Sequence, residues 1–256
     1  MKSYYDLGEE FYDKEDYASA VDCYQKGAAA GEVECVNALG YCYEHGVVVE
    51  KSGLKALEYY KQAAETGFLK GIMNVASSYG TGMSGVPKDQ EKSFAWYMKA
   101  AELDDMEAQY LIGQRYRLGV GVEQDWEKSL EWYEKSAEKG FLKAAWTLSQ
   151  IYEWEQDGLE DKEKARYWCR KAAELGYVDA QAKLGYDLAH EGQHEEAVIW
   201  YEKAAEQGHP ESKANLGYCY LYGNGVKKDK KKARELILNS GMSFMMIPDA
   251  LYDDEE

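Results

Sequence analysis

The segment that comes nearest to a catalytic pattern is His190-Glu191-Gly192-Gln193-His194, which matches H-E-x-x-H. In zinc hydrolases this pattern places two histidine ligands one turn apart on one helical face, with the glutamate as general base. Gly192 stands between the two histidines, where the pattern of the chain predicts a turn between two helices. The longer metalloprotease form fails as well, because Ala197 occupies the position that would need glycine. We therefore expect a coincidental match, and a zinc hydrolase is the less favoured alternative.

The other residue types that could do chemistry are scattered along the chain. The five cysteines have neither C-x-x-C spacing nor regular pairing, and they are Cys23, Cys35, Cys42, Cys169 and Cys219. An odd number of such cysteines predicts reduced, buried thiols and a cytoplasmic location. His45 and His209 are isolated and are expected to be exposed at helix ends. No nucleophile elbow or phosphate-binding loop is present. We predict no catalytic residue, no metal site and no cofactor.

The charge of the chain narrows the classes of partner. It carries 47 acidic and 30 basic residues, a formal net charge of −17. Nucleic-acid binding and anionic membrane surfaces both depend on Lys and Arg, so both are disfavoured. No stretch reaches 18 apolar residues, and the amino terminus lacks the apolar core of a signal peptide. We expect a protein or peptide partner.

The elements that must position these residues follow from an internal repeat of about 36 residues. Its most regular segment recurs as CYQKGAAAG, YYKQAAETG, WYMKAAELD, WYEKSAEKG, WCRKAAELG and WYEKAAEQG, with a decayed copy in ARELILNSGMSF. Each copy is preceded by a second helical pattern that contains an apolar residue followed by a small one, a pair that we call the step. We assign the steps to Leu7-Gly8, Leu39-Gly40, Ala76-Ser77, Ile112-Gly113, Leu148-Ser149, Leu184-Gly185 and Leu216-Gly217.

Each repeat is therefore predicted to hold two helices, helix A and then helix B. A glycine inside a helix costs about 1 kcal/mol relative to alanine, so its recurrence predicts close approach of another helix. Helix B has its own recurrent small residue, at Ala20, Ala56, Ser93, Ser129, Ala165, Ala197 and Ala233. In the longer loops between helices A and B, such as Gly119 to Asp125, glycine is expected to turn the chain. Valine is expected to enter the core there, and aspartate to cap helix B.

These residues resemble the Sel-one-like repeat family, within the tetratricopeptide-repeat-like superfamily. The family pattern LG..Y..G.GV..D..KA..WY.KAAE.G is almost complete between Ile112 and Gly140. The resemblance implies an all-α fold, a right-handed α/α solenoid of about seven helix-turn-helix repeats. It covers residues 1–244, in units of about 1–31, 32–67, 68–104, 105–140, 141–176, 177–208 and 209–244. Residues 245–256 form an acidic carboxy-terminal tail.

The resemblance also implies that the A helices line a concave groove where a peptide or partner surface binds. Helical phase turns the residues two before and two after each apolar residue of the step toward that groove. The predicted binding residues are Asn37, Tyr41, Asn74, Ser78, Tyr110, Gln114, Trp146, Gln150, Tyr186 and Tyr218. In tetratricopeptide relatives a groove asparagine often holds the peptide backbone, as Asn37 and Asn74 would here. The alternative is that these asparagines bridge neighbouring helices, and that Trp146 and Tyr186 belong to the core between repeats.

The function that this implies is a protein–protein interaction scaffold or adaptor. Some cysteine-rich members of the family have a reported link to hydrolase activity, but the paired cysteine of each of their repeats is absent here. A third alternative is a self-assembling structural protein, with self-association through the tail. The apolar residues of the tail, such as Met245 and Leu251, would cap the last helix or occupy a groove.

Overall fold

The structure, a computed structural model, describes residues 2–154 and 160–241. The predicted tail, residues 245–256, lies outside the described residues. Across the described ranges the chain forms helices joined by short loops, and none of these helices is long and apolar enough to cross a membrane. The helices are α1 Tyr4–Asp13, α2 Tyr17–Ala29, α3 Val33–His45, α4 Gly53–Glu65, α5 Leu69–Thr81, α6 Gln90–Glu102, α7 Met106–Leu118, α8 Trp126–Glu138, α9 Leu142–Glu153, α10 Lys162–Glu174, α11 Val178–His190, α12 His194–Glu206, α13 Pro210–Tyr222 and α14 Lys230–Leu238.

The odd-numbered helices are the predicted A helices, and the even-numbered ones are the B helices. Many consecutive helices within each unit pack against each other, as α3 does on α4 and α4 on α5. The predicted fold class, an all-α array of helix-turn-helix repeats, is confirmed. The described residues fall into two compact units, within Met1–Ser136 and within Ala137–Glu256.

In several repeats, a glycine of helix A lies against an aromatic ring of helix B. A Cβ atom added at Gly40 would lie 2.6 Å from Cδ1 of Tyr60, and one at Gly113 would lie 2.8 Å from Cδ1 of Tyr133. Both tyrosines are buried. The ring therefore occupies the space that a side chain would fill, which is the close approach that the sequence predicted. The recurrent small residues of helix B are buried as well.

The loop between α5 and α6 behaves as the sequence predicts. Val86 is buried in the loop between α5 and α6. Asp89 ends this loop and caps α6, accepting a hydrogen bond from the backbone nitrogen of Lys92 at 2.9 Å. After most B helices a glycine takes a left-handed conformation. Asp104 takes it after α6, with φ 72°, in the position where the other repeats have glycine.

The register predicted for the third repeat is wrong by one residue. The hydroxyl of Ser129 donates to the carbonyl of Gly113, and that of Ser93 donates in the same way to the carbonyl of Ala76. Ala76 is therefore the equivalent of the step glycine, and the step in this repeat is Val75-Ala76. The sequence pattern failed here because valine and alanine replace the leucine and glycine that mark the other steps.

All five cysteines are free and buried, as predicted. Burial raises the pKa of Cys42 to about 11 and that of Cys169 to about 11. Such thiols are almost entirely protonated at neutral pH and are therefore weak nucleophiles.

Candidate functional site

A cavity of about 450 Å³ lies in the first unit, among the A helices of the first three repeats. Its aromatic wall consists of Tyr5, Tyr12, Tyr24, Tyr41, Tyr60 and Phe68. Its polar wall includes Asn37, Asn74, Glu9, Glu34, Glu44, His45, Lys70, Ser77 and Ser78. Four of the residues predicted from helical phase, Asn37, Tyr41, Asn74 and Ser78, therefore line one cavity.

The two asparagines of the cavity are joined to each other. Nδ2 of Asn74 donates a hydrogen bond to Oδ1 of Asn37 over 2.9 Å. Asn37 lies on α3 and Asn74 on α5, so the bond links the A helices of two successive repeats. The bridging alternative considered for this pair is thus what the structure shows, and it coexists with a place on the cavity wall. Both side chains are half-buried.

Two carboxylates of the wall are held by tyrosines from the B helices. Tyr24 donates to Oε1 of Glu9, and Tyr60 donates to Oε2 of Glu44, each over 2.6 Å. Burial, and then the hydrogen bond to the carboxylate, raise the pKa of Tyr24 and of Tyr60 above the usual tyrosine range. Both phenols therefore stay neutral donors at physiological pH.

A row of rings forms the aromatic part of the wall. The ring of Tyr41 lies 4.2 Å from that of His45, one turn further along α3, and 6.3 Å from that of Tyr12 on α1. A hydrogen bond to Tyr41, and then burial, raise the pKa of Tyr12 to about 12. Tyr41 is nevertheless 43% exposed. An aromatic side chain that packs on neighbouring rings and remains partly exposed is typical of a binding surface.

Ser78 differs from the expectation for a binding residue. It is buried, and its hydroxyl donates to the carbonyl of Asn74 at 2.6 Å. Its neighbour Ser77 is exposed and takes the position that Tyr41 holds one repeat earlier. This exchange follows from the register error in the third repeat.

The remaining predicted residues of the first unit lie apart from the cavity wall. Nε2 of Gln114 donates to the hydroxyl of Tyr110 over 2.9 Å. The ring of Tyr110 lies 5.5 Å from that of Tyr133, in the core of the fourth repeat. Both side chains are half-buried and contact neighbours within their own repeat.

The predicted residues of the second unit are dispersed. Trp146 packs its ring 5.5 Å from Tyr177, and Gln150 is half-buried on the same helix. Tyr186 is 53% exposed and lies 3.9 Å from the ring of His190, the same arrangement as Tyr41 with His45. Tyr218 lines a smaller cavity of about 240 Å³.

The H-E-x-x-H segment spans two helices, as its glycine predicted. His190 ends α11, His194 begins α12, and Gly192 between them has φ 80°. Both oxygens of Glu191 accept hydrogen bonds from the guanidinium of Arg166, at 2.7 Å each. In the described ranges, no three His, Cys, Asp or Glu side chains are grouped so as to hold a metal ion.

Several wall residues were missed by the sequence reasoning. Helical phase pointed to the groove positions of the A helices but not to Tyr24 and Tyr60, which reach the cavity from B helices. His45 was predicted to be an isolated residue at a helix end, yet it packs on Tyr41 in the cavity wall. Its spacing of four residues from Tyr41 was the available signal, since such pairs share one face of a helix.

The helix pairs and their repeated glycine–tyrosine contacts define an α-helical repeat protein. The chain belongs to the Sel1 repeat family, whose pattern matches residues 2–32, 33–68, 70–105, 107–141, 142–177, 178–209 and 210–238. The predicted family is thus confirmed. Proteins built from such repeats generally mediate protein–protein interactions, and the family is one of non-enzymatic scaffolds.

The chain is similar to one curated sequence and to several solved structures. A Sel1 repeat protein from Oxalobacter formigenes is 28% identical, with a TM-score of 0.73 over 93% of this chain and 70% of that one. The c5321 protective antigen of uropathogenic Escherichia coli is 29% identical, with a TM-score of 0.47 over 93% of this chain and 60% of that one. Chitin synthase regulatory factor 3 of Schizosaccharomyces pombe is 32% identical over 102 residues, which are 39% of this chain and 11% of that protein. The chain thus matches only about a tenth of that fungal protein.

Proposed function

We propose that this chain is an interaction scaffold that binds an extended peptide segment of a protein partner in the cavity of the first three repeats. The observation that carries the proposal is the hydrogen bond between Asn37 and Asn74. It uses the oxygen of one amide and the nitrogen of the other. The amide nitrogen of Asn37 and the amide oxygen of Asn74 remain as a donor and an acceptor on the wall.

An extended peptide presents the complementary groups. Each of its residues carries one backbone N–H and one C=O, and both need partners when the peptide is buried. The asparagine pair offers one partner of each kind from two successive repeats. Because the pair binds the peptide backbone rather than a side chain, it does not select a peptide sequence. Sequence specificity would come from other wall residues that contact the peptide side chains.

The aromatic wall supplies the apolar contacts. Tyr41 exposes a ring beside His45 and Tyr12, and Phe68 contributes a half-buried ring from the third repeat. Rigid aromatic side chains lose little conformational entropy when they are covered, and they dominate interface energies in many complexes. A cavity of about 450 Å³ has room for several peptide side chains.

The alternatives have less support. For a zinc hydrolase, His190 and His194 lie on different helices and Glu191 is held by Arg166. For a self-assembling protein, the proposed segment is the tail, which lies outside the described residues. We propose the cytoplasm as the place of action, since five buried thiols suit a reducing compartment.

The test is selection of peptides from a random nonapeptide display library on the full chain, followed by affinity measurements on variants. Tyr41→Ala and the pair Asn37→Ala with Asn74→Ala should each weaken the selected peptides at least tenfold. Tyr186→Ala is the matched control, because Tyr186 makes the same ring contact with His190 that Tyr41 makes with His45. Selected peptides that are insensitive to Tyr41→Ala, or that are lost with Tyr186→Ala, would place binding elsewhere and contradict the proposal.

A further inference from the structure

The charges on the cavity wall are unbalanced. Three carboxylates line the cavity, those of Glu9, Glu34 and Glu44, and one ammonium group, that of Lys70. In the described parts of the chain none of these three carboxylates forms an ion pair with a lysine or an arginine. The wall therefore carries a net negative charge, since three carboxylates face one ammonium group.

Two of these carboxylates are fixed in position. Glu9 uses Oε1 for the hydrogen bond from Tyr24, and Glu44 uses Oε2 for the hydrogen bond from Tyr60. Glu9 also has a hydrogen-bond contact with the side chain of Tyr5. Each carboxylate has a second oxygen that takes no part in its bond with Tyr24 or Tyr60. A carboxylate held by a neutral donor keeps its charge and loses rotational freedom, so less entropy is lost when a cation binds it.

The aromatic rings stand in the same wall. Tyr12, Tyr41 and His45 form a continuous row, with ring centroids 6.3 Å and 4.2 Å apart. The faces of aromatic rings attract cations, and a guanidinium group also stacks on them with its flat surface. Carboxylates and ring faces on one wall are the two features that recognise an organic cation.

We propose that the cavity binds an arginine side chain of the partner peptide. This inference rests on the proposed function, because it names the side chain that the peptide places in the cavity. Its guanidinium lies against the ring of Tyr41 and donates to the carboxylates of Glu9 and Glu44. Arginine fits better than lysine, since its planar fork donates to two carboxylates at once while its face remains on a ring. An acidic peptide is repelled by the wall and by the net charge of −17.

The experiment uses a positional-scanning library of nonapeptides, acetylated and amidated, in which only the central residue is fixed. Each sub-library carries arginine, lysine, citrulline, leucine or glutamate at that position, and its binding to the full chain is measured by competition. The arginine sub-library should bind at least tenfold tighter than the citrulline one, which has the same shape without the charge. Equal binding of arginine and citrulline, or of arginine and lysine, would overturn the assignment.

Two double variants test whether the carboxylates of the cavity wall bind the arginine. Glu9→Gln with Glu44→Gln keeps an acceptor for each tyrosine and should weaken the arginine sub-library at least tenfold. Glu58→Gln with Glu65→Gln changes the net charge equally at exposed positions of α4 that do not line the cavity, and should change binding less than twofold. If both double variants lost affinity for the arginine sub-library equally, the peptides would be attracted by the overall negative charge of the chain, and the inference would be wrong. The wild-type sub-library ranking decides the question if the first double variant folds poorly.

The two proposals fail in different ways. Binding that depends on Tyr41 but shows no preference for arginine would overturn the inference and leave the proposed function standing. Absence of any binding that depends on Tyr41 would overturn both.

Discussion

Asn74 donates a hydrogen bond from Nδ2 to Oδ1 of Asn37, and the two residues belong to A helices of successive repeats. This hydrogen bond links α3 and α5, the helices of two successive repeats that both line the cavity. It also orients both amides, because each has one polar atom committed to the other. The bond thus contributes both to the packing of the repeats and to the proposed recognition of a peptide backbone.

Replacing Asn74 by alanine should separate these two contributions. A single half-buried hydrogen bond between neutral groups contributes about 1 kcal/mol, so the free energy of unfolding should fall by roughly that amount. Peptide affinity should fall at least fivefold, since the acceptor on the wall is lost as well. Urea denaturation and peptide titration measure the two effects. Gln62→Ala, an exposed change on α4, is the control and should alter neither; unchanged affinity in Asn74→Ala would remove this residue from the site.

The step positions give a prediction for opposite substitutions at equivalent places in two repeats, both of which should destabilise the protein. Gly40→Ala places a Cβ atom 2.6 Å from the ring of Tyr60, and it should destabilise the protein by about 1–3 kcal/mol through overpacking. Ala76 already occupies the equivalent place in the third repeat, so Ala76→Gly should also destabilise, by about 1 kcal/mol, through loss of helix propensity. Thermal and urea unfolding of the two variants test this pair. A stabilising Gly40→Ala would mean that the ring of Tyr60 moves aside at little cost.

Much of the fold could be predicted from the sequence because several repeats carry the same pattern of packing residues. A glycine equivalent to Gly113 and an aromatic residue equivalent to Tyr133 occur together in several repeats, and each such pair predicts the same contact between helices A and B. Where a repeat departs from the pattern, prediction fails. In the third repeat the step is Val75-Ala76, and without a glycine to mark it the register was wrong by one residue.

The site was less predictable than the fold. Helical phase is a property of one helix, and it correctly turned Asn37 and Tyr41 toward the cavity. Which carboxylate meets a buried tyrosine depends instead on side-chain length and rotamer. Tyr60 meets Glu44, four residues after its step glycine, while in the fourth repeat the corresponding residue is Arg117. A single sequence does not record such pairings.

The buried tyrosines predict a loss of stability at alkaline pH. The pKa of Tyr60 in the folded protein lies above the usual value of about 10, because of burial and then the hydrogen bond to Glu44. The folded state therefore holds this proton more tightly than the unfolded state does. The resulting stabilisation is complete below about pH 10 and is lost as pH rises from there toward the folded pKa.

Urea unfolding at pH 8, 10 and 11 should show this fall, and tyrosinate absorbance should show that Tyr60 ionises only on unfolding. Tyr60→Phe should reduce the pH dependence of stability between pH 10 and 11, because the group that ionises is gone. Tyr222→Phe alters a tyrosine that is 52% exposed, and should leave the pH dependence as it is in the wild type. Equal slopes for Tyr60→Phe and the wild type would contradict the assignment to Tyr60.

The H-E-x-x-H segment should not bind zinc stoichiometrically. A zinc site of this type needs both histidines on one uninterrupted helical turn and a glutamate free to act as base. Here His190 ends α11 and donates from Nδ1 to the carbonyl of Tyr186 at 2.9 Å, while His194 begins the next helix. The carboxylate of Glu191 accepts two hydrogen bonds from Arg166.

Titration calorimetry with zinc should give no saturable heat at one equivalent, and the melting temperature should not rise with zinc. His190→Ala should behave like the wild type in both measurements. Zinc bound one to one by the wild type and lost in His190→Ala would instead revive the hydrolase alternative, and activity assays on peptide substrates would then be the next step.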